Sequence, residues 1–494
     1  MSTLKATIKR LSTGVPGMDA VLGGGLPEFS FNLLAGPPGC GKTTLAHQIM
    51  FSLATPERPA LYFTILGEPP LKMLRYQQQF DFFDTEKVNR SIRFINLADD
   101  TAAGNLDRVL NRIEQEVQEH RPGIVVVDSF RSVTLASGTE GLGFNLLQLF
   151  IQRLGMLMTS WQATTFLIGE YFTDQDPNPV FTVSDGLIWL RQSVQRNSVI
   201  RKMEIMKMRG QPTLAGLHTF RITKAGVEVI APVRPSLAPG MPVAAVGTDR
   251  LKMGIPALDD MMEGGLPRGY SLLVAGPSGS GKTILASNFL AEGARTGEAG
   301  IIASFEQGPR RSRERLLSQL VDSGAVTSIE PGVSDLSIDE TTAVLLAEIR
   351  RRHATRVVID SLSGFELALA PTFRDDFKES LARMVLALSA TGATVLMTCE
   401  LVDRYTDLRF SPYGTAFLTD AIIVQRYIEV DSRFERVMAV VKLRGSAHSN
   451  ELRQFHIRDS SLFVGERLSG RSGLLGGQPS WDPPSGSPDL PHGV

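Results

Sequence analysis

Gly36-Pro37-Pro38-Gly39-Cys40-Gly41-Lys42-Thr43 is the stretch that decides the fold, and Gly276-Pro277-Ser278-Gly279-Ser280-Gly281-Lys282-Thr283 repeats it 240 residues later. Both read G-x-x-x-x-G-K-T. In such a loop the glycines let backbone N–H groups curl around phosphates, the lysine neutralises them, and the threonine hydroxyl reaches a magnesium ion. Phe31-Asn32-Leu33-Leu34-Ala35 is an apolar strand feeding the first loop, and Thr44 continues into the helix whose N-terminus faces the phosphates. Gly36, Gly39, Cys40, Gly41, Lys42, Thr43 and Thr44 are therefore the candidate contacts of one nucleotide site. Gly276, Gly279, Ser280, Gly281, Lys282 and Thr283 are those of a second.

The flanks repeat as well. Gly14-Val15-Pro16 pairs with Gly254-Ile255-Pro256, Asp19 with Asp259, and Gly24-Gly25-Leu26-Pro27 with Gly264-Gly265-Leu266-Pro267, all at the same offset. Solenoid repeats are ~20 to 50 residues long, so this period marks a tandem domain duplication. Ile124-Val125-Val126-Val127-Asp128 and Val357-Val358-Ile359-Asp360 are continuous β-branched runs ending in an acid. Parallel strands covered by helices on both faces read this way. The acids then emerge at the carboxyl edge of the sheet, where ligands bind, and are candidates to hold magnesium with Thr43 and Thr283. The expected fold is α/β, with two tandem P-loop NTPase domains built on mainly parallel central sheets. The first domain is expected over 1–231, a proline-stiffened linker over 232–247, the second domain over 248–467, and an unstructured Gly/Pro/Ser-rich tail over 468–494.

Composition removes other classes. Of 494 residues, 43% are hydrophobic and 21% charged, with a formal net charge of −1, so no bulk basicity advertises nucleic acid. Two cysteines, Cys40 and Cys399, are too few for a disulfide framework. Cys40 reads as a small residue at a variable loop position, with a redox-sensing thiol as the alternative. No apolar signal core opens the chain and no apolar run approaches ~20 residues, which points to a cytoplasmic protein without membrane partners.

With the G-x-P-x-x-D element, G-G-L-P, the P-loop and an apolar strand ending in Asp-Ser all present twice, the chain resembles the KaiC family of RecA-like ATPases. Lys207-Met208-Arg209-Gly210 and Lys442-Leu443-Arg444-Gly445 match that family's K-x-R-G element late in each domain. The resemblance implies RecA-like domains, ATP and Mg2+ as cofactors, and a homohexamer of stacked rings with ATP at subunit interfaces. It also implies that Lys207, Arg209, Lys442 and Arg444 reach the neighbouring subunit's nucleotide. On a strand, each Lys/Arg pair would project to one side about 7 Å apart.

Where the family carries two adjacent glutamates after its second strand, the second domain has Glu306-Gln307 and the first has Leu66-Gly67, with Glu68 next in sequence. Glu306 is the expected proton acceptor, and Glu68 substitutes for it only if the strand end bends. At the family's phospho-acceptor positions stand Ala416 and Phe417, which lack hydroxyls, with Thr415 and Thr419 nearby. Ser446, His448 and Asp459 match family positions near phosphate or ribose in the second domain, while the first has Gln211 and Thr213 in place of Ser446 and His448. Glu170 and Glu400 close a further apolar strand in each repeat, as nucleotide sensors or as solvated strand ends. The reading is an ATP-binding and ATP-hydrolysing hexameric signalling protein, with turnover mainly in the second domain and an unidentified protein partner. The alternatives are a serine/threonine autokinase of clock type and a RecA-like DNA-dependent ATPase. The latter would use the clusters Arg310-Arg311-Ser312-Arg313 and Arg350-Arg351-Arg352-His353.

Overall fold

The structure is a computed structural model that describes residues 8–65, 70–101, 106–129, 142–172, 179–195, 198–231, 249–305, 315–330, 337–369, 377–401, 418–430, 433–468, 471–472 and 480–481. The chain divides into two compact units, Met1–Pro232 and Val233–Val494. The expected linker over 232–247 lies outside the described residues. Within the expected tail, Arg471–Ser472 and Ser480–Trp481 pair antiparallel, and the rest of 469–494 also lies outside them.

The strands of the first unit are β1 (Arg10–Leu11), β2 (Leu26–Pro27), β3 (Phe31–Gly36), β4 (Ala60–Thr64), β5 (Ile92–Asn96), β6 (Ile124–Asp128), β7 (Thr164–Glu170), β8 (Gly186–Gln195), β9 (Ser198–Met208), β10 (Leu217–Thr223) and β11 (Gly226–Val229). Nine of them form one sheet in the order β11-β10-β9-β8-β3-β7-β6-β4-β5. The run from β5 to β8 is parallel, and β9, β10 and β11 extend it as an antiparallel meander.

The second unit repeats this plan with β12 (Arg250–Leu251), β13 (Leu266–Pro267), β14 (Ser271–Gly276), β15 (Gly300–Ser304), β16 (Val326–Ile329), β17 (Arg356–Asp360), β18 (Thr394–Glu400), β19 (Ala421–Val430), β20 (Arg433–Leu443), β21 (Arg453–Arg458) and β22 (Ser461–Arg467). Its sheet order is β16-β15-β17-β18-β14-β19-β20-β21-β22. These are tandem RecA-like α/β domains.

The continuous apolar runs are explained by two cores per domain. In the first domain Leu34, Ala60, Tyr62 and Val126 join one cluster, while Leu33, Ala35, Leu61, Phe63, Val125 and Val127 join the other. Successive side chains on a strand alternate faces, so a strand buried on both must be apolar throughout. Helix Leu106–His120 seals one side by burying Val109, Leu110, Ile113 and Val117 along a single stripe. Helix Lys42–Leu53 lies across the other and buries Leu45, Ala46, Ile49 and Met50.

Candidate nucleotide sites

Each phosphate loop follows the last residue of a central strand and ends at a helix N-terminus. Helix Lys42–Leu53 is capped by Gly41 at φ 105°, and helix Lys282–Arg295 by Gly281 at φ 101°. Left-handed backbone of this kind suits glycine. Space demands glycine too, since a Cβ on Gly41 would sit 2.6 Å from Ile222 Cδ1, and one on Gly281 2.7 Å from Ile457 Cδ1. Strands β10 and β21 thus press a side chain against each loop and fix its curl. Gly39 and Gly279 lie exposed at the crest, while Gly36, Cys40, Gly276 and Ser280 are buried beneath it. Thr44 is half-buried on the first turn of its helix.

Lys42 Nζ donates to the carbonyls of Gly36 and Pro37 at 2.9 and 2.8 Å, and Lys282 Nζ to those of Gly276 and Pro277 at 2.9 and 2.7 Å. Both ammonium groups are thereby held over the loop. The polar support below the loop differs between domains. Ser280 Oγ donates to Gln425 Oε1 at 3.1 Å, whereas Cys40 is buried within an apolar cluster that includes Leu190. Burial raises the Cys40 thiol pKa despite the adjacent Lys42, so the redox reading loses its lowered pKa.

The metal-side pairs come together across sheet and loop. Thr43 Oγ1 donates to Asp128 Oδ2 at 2.9 Å and Thr283 Oγ1 to Asp360 Oδ2 at 2.8 Å. A hydroxyl and a carboxylate beside curled loop amides are the hard-oxygen donors and phosphate cradle that fit magnesium and a nucleoside triphosphate. The next partner of each acid is different. In the first domain Tyr62 on β4 donates to Asp128 Oδ2 at 2.6 Å; in the second Thr398 on β18 donates to Asp360 Oδ1. Burial raises the Asp128 pKa, against the opposing effects of Tyr62, Thr43 and Lys42. Tyr62 and Thr398 have no counterparts in the other repeat, where Ile302 and Ile168 stand, and the matching motifs gave no sign of them.

The K-x-R-G elements lie at the other edge of the sheet. Leu187 near the start of β8 faces Lys207 near the end of β9, and Gly186 faces Met208; β8 in turn begins beside Asn32, at the start of β3. The phosphate loop leaves β3 at its far end, at Gly36, four residue steps beyond Asn32, or about 13 Å at ~3.3 Å per residue. The same holds for Lys442 opposite Ile422 at the base of β19. A β-bulge precedes each lysine, at the register shift between Leu187 and Ile188 and again between Ile422 and Ile423.

One detail of the sequence expectation changes. Arg209 and Arg444 are not strand residues; β9 ends at Met208 and β20 at Leu443. Released from the ladder, each arginine turns onto an aspartate. Arg209 Nη1 donates to Asp185 Oδ1 at 3.1 Å and Arg444 Nη1 to Asp420 Oδ1 at 3.4 Å. Lys207 Nζ donates to Thr182 O at 3.0 Å, and Lys442 Nζ to Thr419 O. Partial burial and the neighbouring arginine lower both lysine pKa values, with Asp185 and Asp420 opposing.

The remaining candidates separate. Ser446 lies beyond Arg444 and donates to Glu263 Oε2 at 3.1 Å while accepting from Arg250 Nη2. Arg250 in turn donates to Met262 O and Gly265 O at 2.7 and 2.9 Å. In the first domain Gln211 holds the equivalent carbonyls, Leu22 O at 2.6 Å and Gly25 O at 2.8 Å, while Arg10 donates to Gly23 O. His448 is half-buried in the same loop. Asp459 and Ser460, at φ 48° and 62°, form the two-residue turn between β21 and β22, which explains an aspartate there by turn geometry. Glu170 and Glu400 sit in register with Gly36 and Gly276, one half-buried and one exposed.

Glu68, Glu306, Gln307, Thr415, Ala416, Phe417 and the Arg310–Arg313 cluster lie outside the described residues. Thr419 is fully buried. In the second basic cluster Arg351 and Arg352 both pair with Glu348, at 2.5 and 3.5 Å. No helix among the described residues is long and apolar enough to cross a membrane.

Comparison with known proteins agrees with this geometry. The family model described as "ATPase: KaiC" matches residues 11–234 and again 251–469. The "Circadian clock oscillator protein KaiC" of Rippkaea orientalis is 24% identical, covering 96% of this chain and 92% of that protein. The protein of the same name from Picosynechococcus sp. is also 24% identical, over 96% and 93%. "Circadian clock oscillator protein KaiC 1" of Synechocystis sp. is 23% identical, over 96% and 92%.

Proposed function

From the premise that the chain belongs to the KaiC family of ATPases, matched across both of its repeats, we propose that it is a ring-forming ATPase whose nucleotide sites are completed between subunits. One observation carries the reading: in each domain the loop that would bind phosphate and the cations that would answer it stand at opposite edges of the same sheet. Lys207 and Arg209 stand towards the end of the sheet away from their own loop. A neighbouring copy presenting its loop to that edge would be reached, and a closed hexamer satisfies every subunit equally.

In this arrangement Gly36–Thr44 and Gly276–Thr283 bind triphosphate, with Lys42 and Lys282 moving from loop carbonyls to phosphate oxygens. Thr43 with Asp128, and Thr283 with Asp360, would hold magnesium directly or through its waters. Magnesium supplies charge neutralisation on the phosphates. Arg209 and Arg444 act on the neighbour's transferring phosphoryl group as charge stabilisers, and Glu306 accepts the proton of the attacking water.

The first domain offers only Glu68 in that region, so it is the assembly ring and the second domain the turnover ring. Nucleotide state then sets a surface read by a protein partner. The buried Thr419 counts against clock-type self-phosphorylation at that residue, and pairing of Arg351 and Arg352 with Glu348 counts against a free nucleic-acid patch there.

The test is phosphate release by Glu306→Gln, Glu68→Gln and the double variant, with particle size measured with and without ATP. Glu306→Gln should fall by about 10² to 10⁴ while assembling normally, and Glu68→Gln should stay near the parent rate. Full activity in Glu306→Gln would sink the assignment.

A further inference from the structure

We propose that Asp185 and Asp420 are positioning residues that aim the K-x-R-G cations at the neighbouring subunit, an inference that rests on the between-subunit reading above.

Each aspartate is fixed by the strand that carries its own phosphate loop. Asp185 Oδ2 accepts the Phe31 N–H at 3.0 Å, and the Asp185 N–H donates to Phe31 O at 2.7 Å. Asp420 Oδ2 accepts the Ser271 N–H at 3.0 Å and the Ser271 hydroxyl at 2.8 Å, and the Asp420 N–H donates to Ser271 O at 2.9 Å. Only the other oxygen, Oδ1, is left for the arginine. The backbone closes the unit, because the Arg209 N–H donates to Asp185 O and the Arg444 N–H to Asp420 O, both at 2.9 Å.

The magnitude of the ion pair argues for aim over stability. The Arg209 and Arg444 side chains are 59% and 50% exposed, and exposed pairs contribute only ~0 to 1 kcal/mol. Yet the same carboxylate divides its two oxygens in the same way in both domains, beside a lysine held on a carbonyl of the same loop. Arg209 Nη2 also reaches Thr182 O at 3.5 Å, and a flexible arginine tied to a carboxylate that cannot rotate loses orientational freedom.

Asp420→Asn keeps size and an acceptor but removes the charge. It should lower kcat by about 10- to 100-fold, the cost of a misplaced group, with ATP-dependent assembly retained. Two readouts separate aiming from a structural role. In a double-mutant cycle, Asp420→Asn should add little to the loss caused by Arg444→Ala. Mixed with Lys282→Ala subunits, which lack a working second loop but keep the Asp420–Arg444 unit, Asp420→Asn subunits should regain turnover.

An unchanged kcat in Asp420→Asn, or a loss fully additive with Arg444→Ala, overturns the proposal. Arg444→Ala mixed with Lys282→Ala is the control. Recovery there without recovery for Asp420→Asn refutes the aspartate's role alone; no recovery in either mixture refutes the between-subunit site and this proposal with it. Should Asp420→Asn fail to fold, Asp185→Asn poses the same question in the first domain. ATP-dependent assembly weakened tenfold or more there supports the proposal, and unchanged assembly overturns it.

Discussion

Acidification should destabilise the first domain through His47, a residue with no titratable counterpart in the second, where Ser287 stands. His47 lies one turn into the helix after the first phosphate loop and is fully buried, with Tyr62 at 4.6 Å and Phe94 at 6.0 Å between ring centroids. Neither ring nitrogen makes a hydrogen bond of ordinary geometry. Burial lowers its pKa from 6.5 to about 4, outweighing the opposing effect of the Gln77 amide. The folded state therefore keeps His47 neutral where the unfolded chain protonates. The group costs nothing above pH 7, and its penalty grows as pH falls from 6.5 towards 4. At pH 5 the two protonation equilibria differ by about 2 kcal/mol, rising to roughly 3 kcal/mol below pH 4. For a domain of this size 2 kcal/mol is roughly 4 to 8 °C in Tm. The assay is thermal unfolding of the parent and His47→Leu from pH 7.5 to 4.5, taking the difference between the two curves so that shared carboxylate effects cancel. The gap should move in favour of His47→Leu by that amount. Parallel curves would refute the reasoning.

Other expectations follow from the same geometry. Gly281→Ala forces a positive φ on alanine and a Cβ onto Ile457, so it should cost about 1 to 2 kcal/mol from the backbone alone. Pairing it with Ile457→Val should recover only the steric part, read by melting temperature. Tyr62→Phe removes one donor to Asp128, and should change magnesium-dependent nucleotide affinity at the first site by about threefold to tenfold, from ~1 kcal/mol per hydrogen bond. Nucleotide affinity at the second site should not move. Cys40 and Cys399 are both buried with raised thiol pKa values, Cys399 to about 11. A thiol reagent at pH 8 should modify neither in the folded protein and both in denaturant.

What could be read from the chain was whatever is written locally. The loops, the strand β6 ending at Asp128 and the helix after each lysine are short-range patterns, and they stand where the sequence put them. Strand order is not local. That β8 and β9 return to the base of β3 depends on which runs become neighbours, so the separation of Arg209 from its own loop was invisible. Asp185 and Asp420 were legible only as residues before an apolar run; their importance came from touching both the loop strand and the arginine. Tyr62, Thr398 and His47 escaped for the opposite reason. Each occurs in one repeat only, and a search for matches passes over differences.

The β-bulge beside each lysine bears on ancestry. Regular strands and helices recur in unrelated chains because few geometries are available, but an extra residue at the same point of the same ladder is an accident worth inheriting once. Its presence in both halves dates it, with the aspartate–arginine unit, to a single-domain forebear that existed before the gene doubled. The surroundings of Asp128 and Asp360 diverged afterwards. By that order of events, the proposed partnership between copies would be the older trait, and the proposed division of labour between the halves the younger.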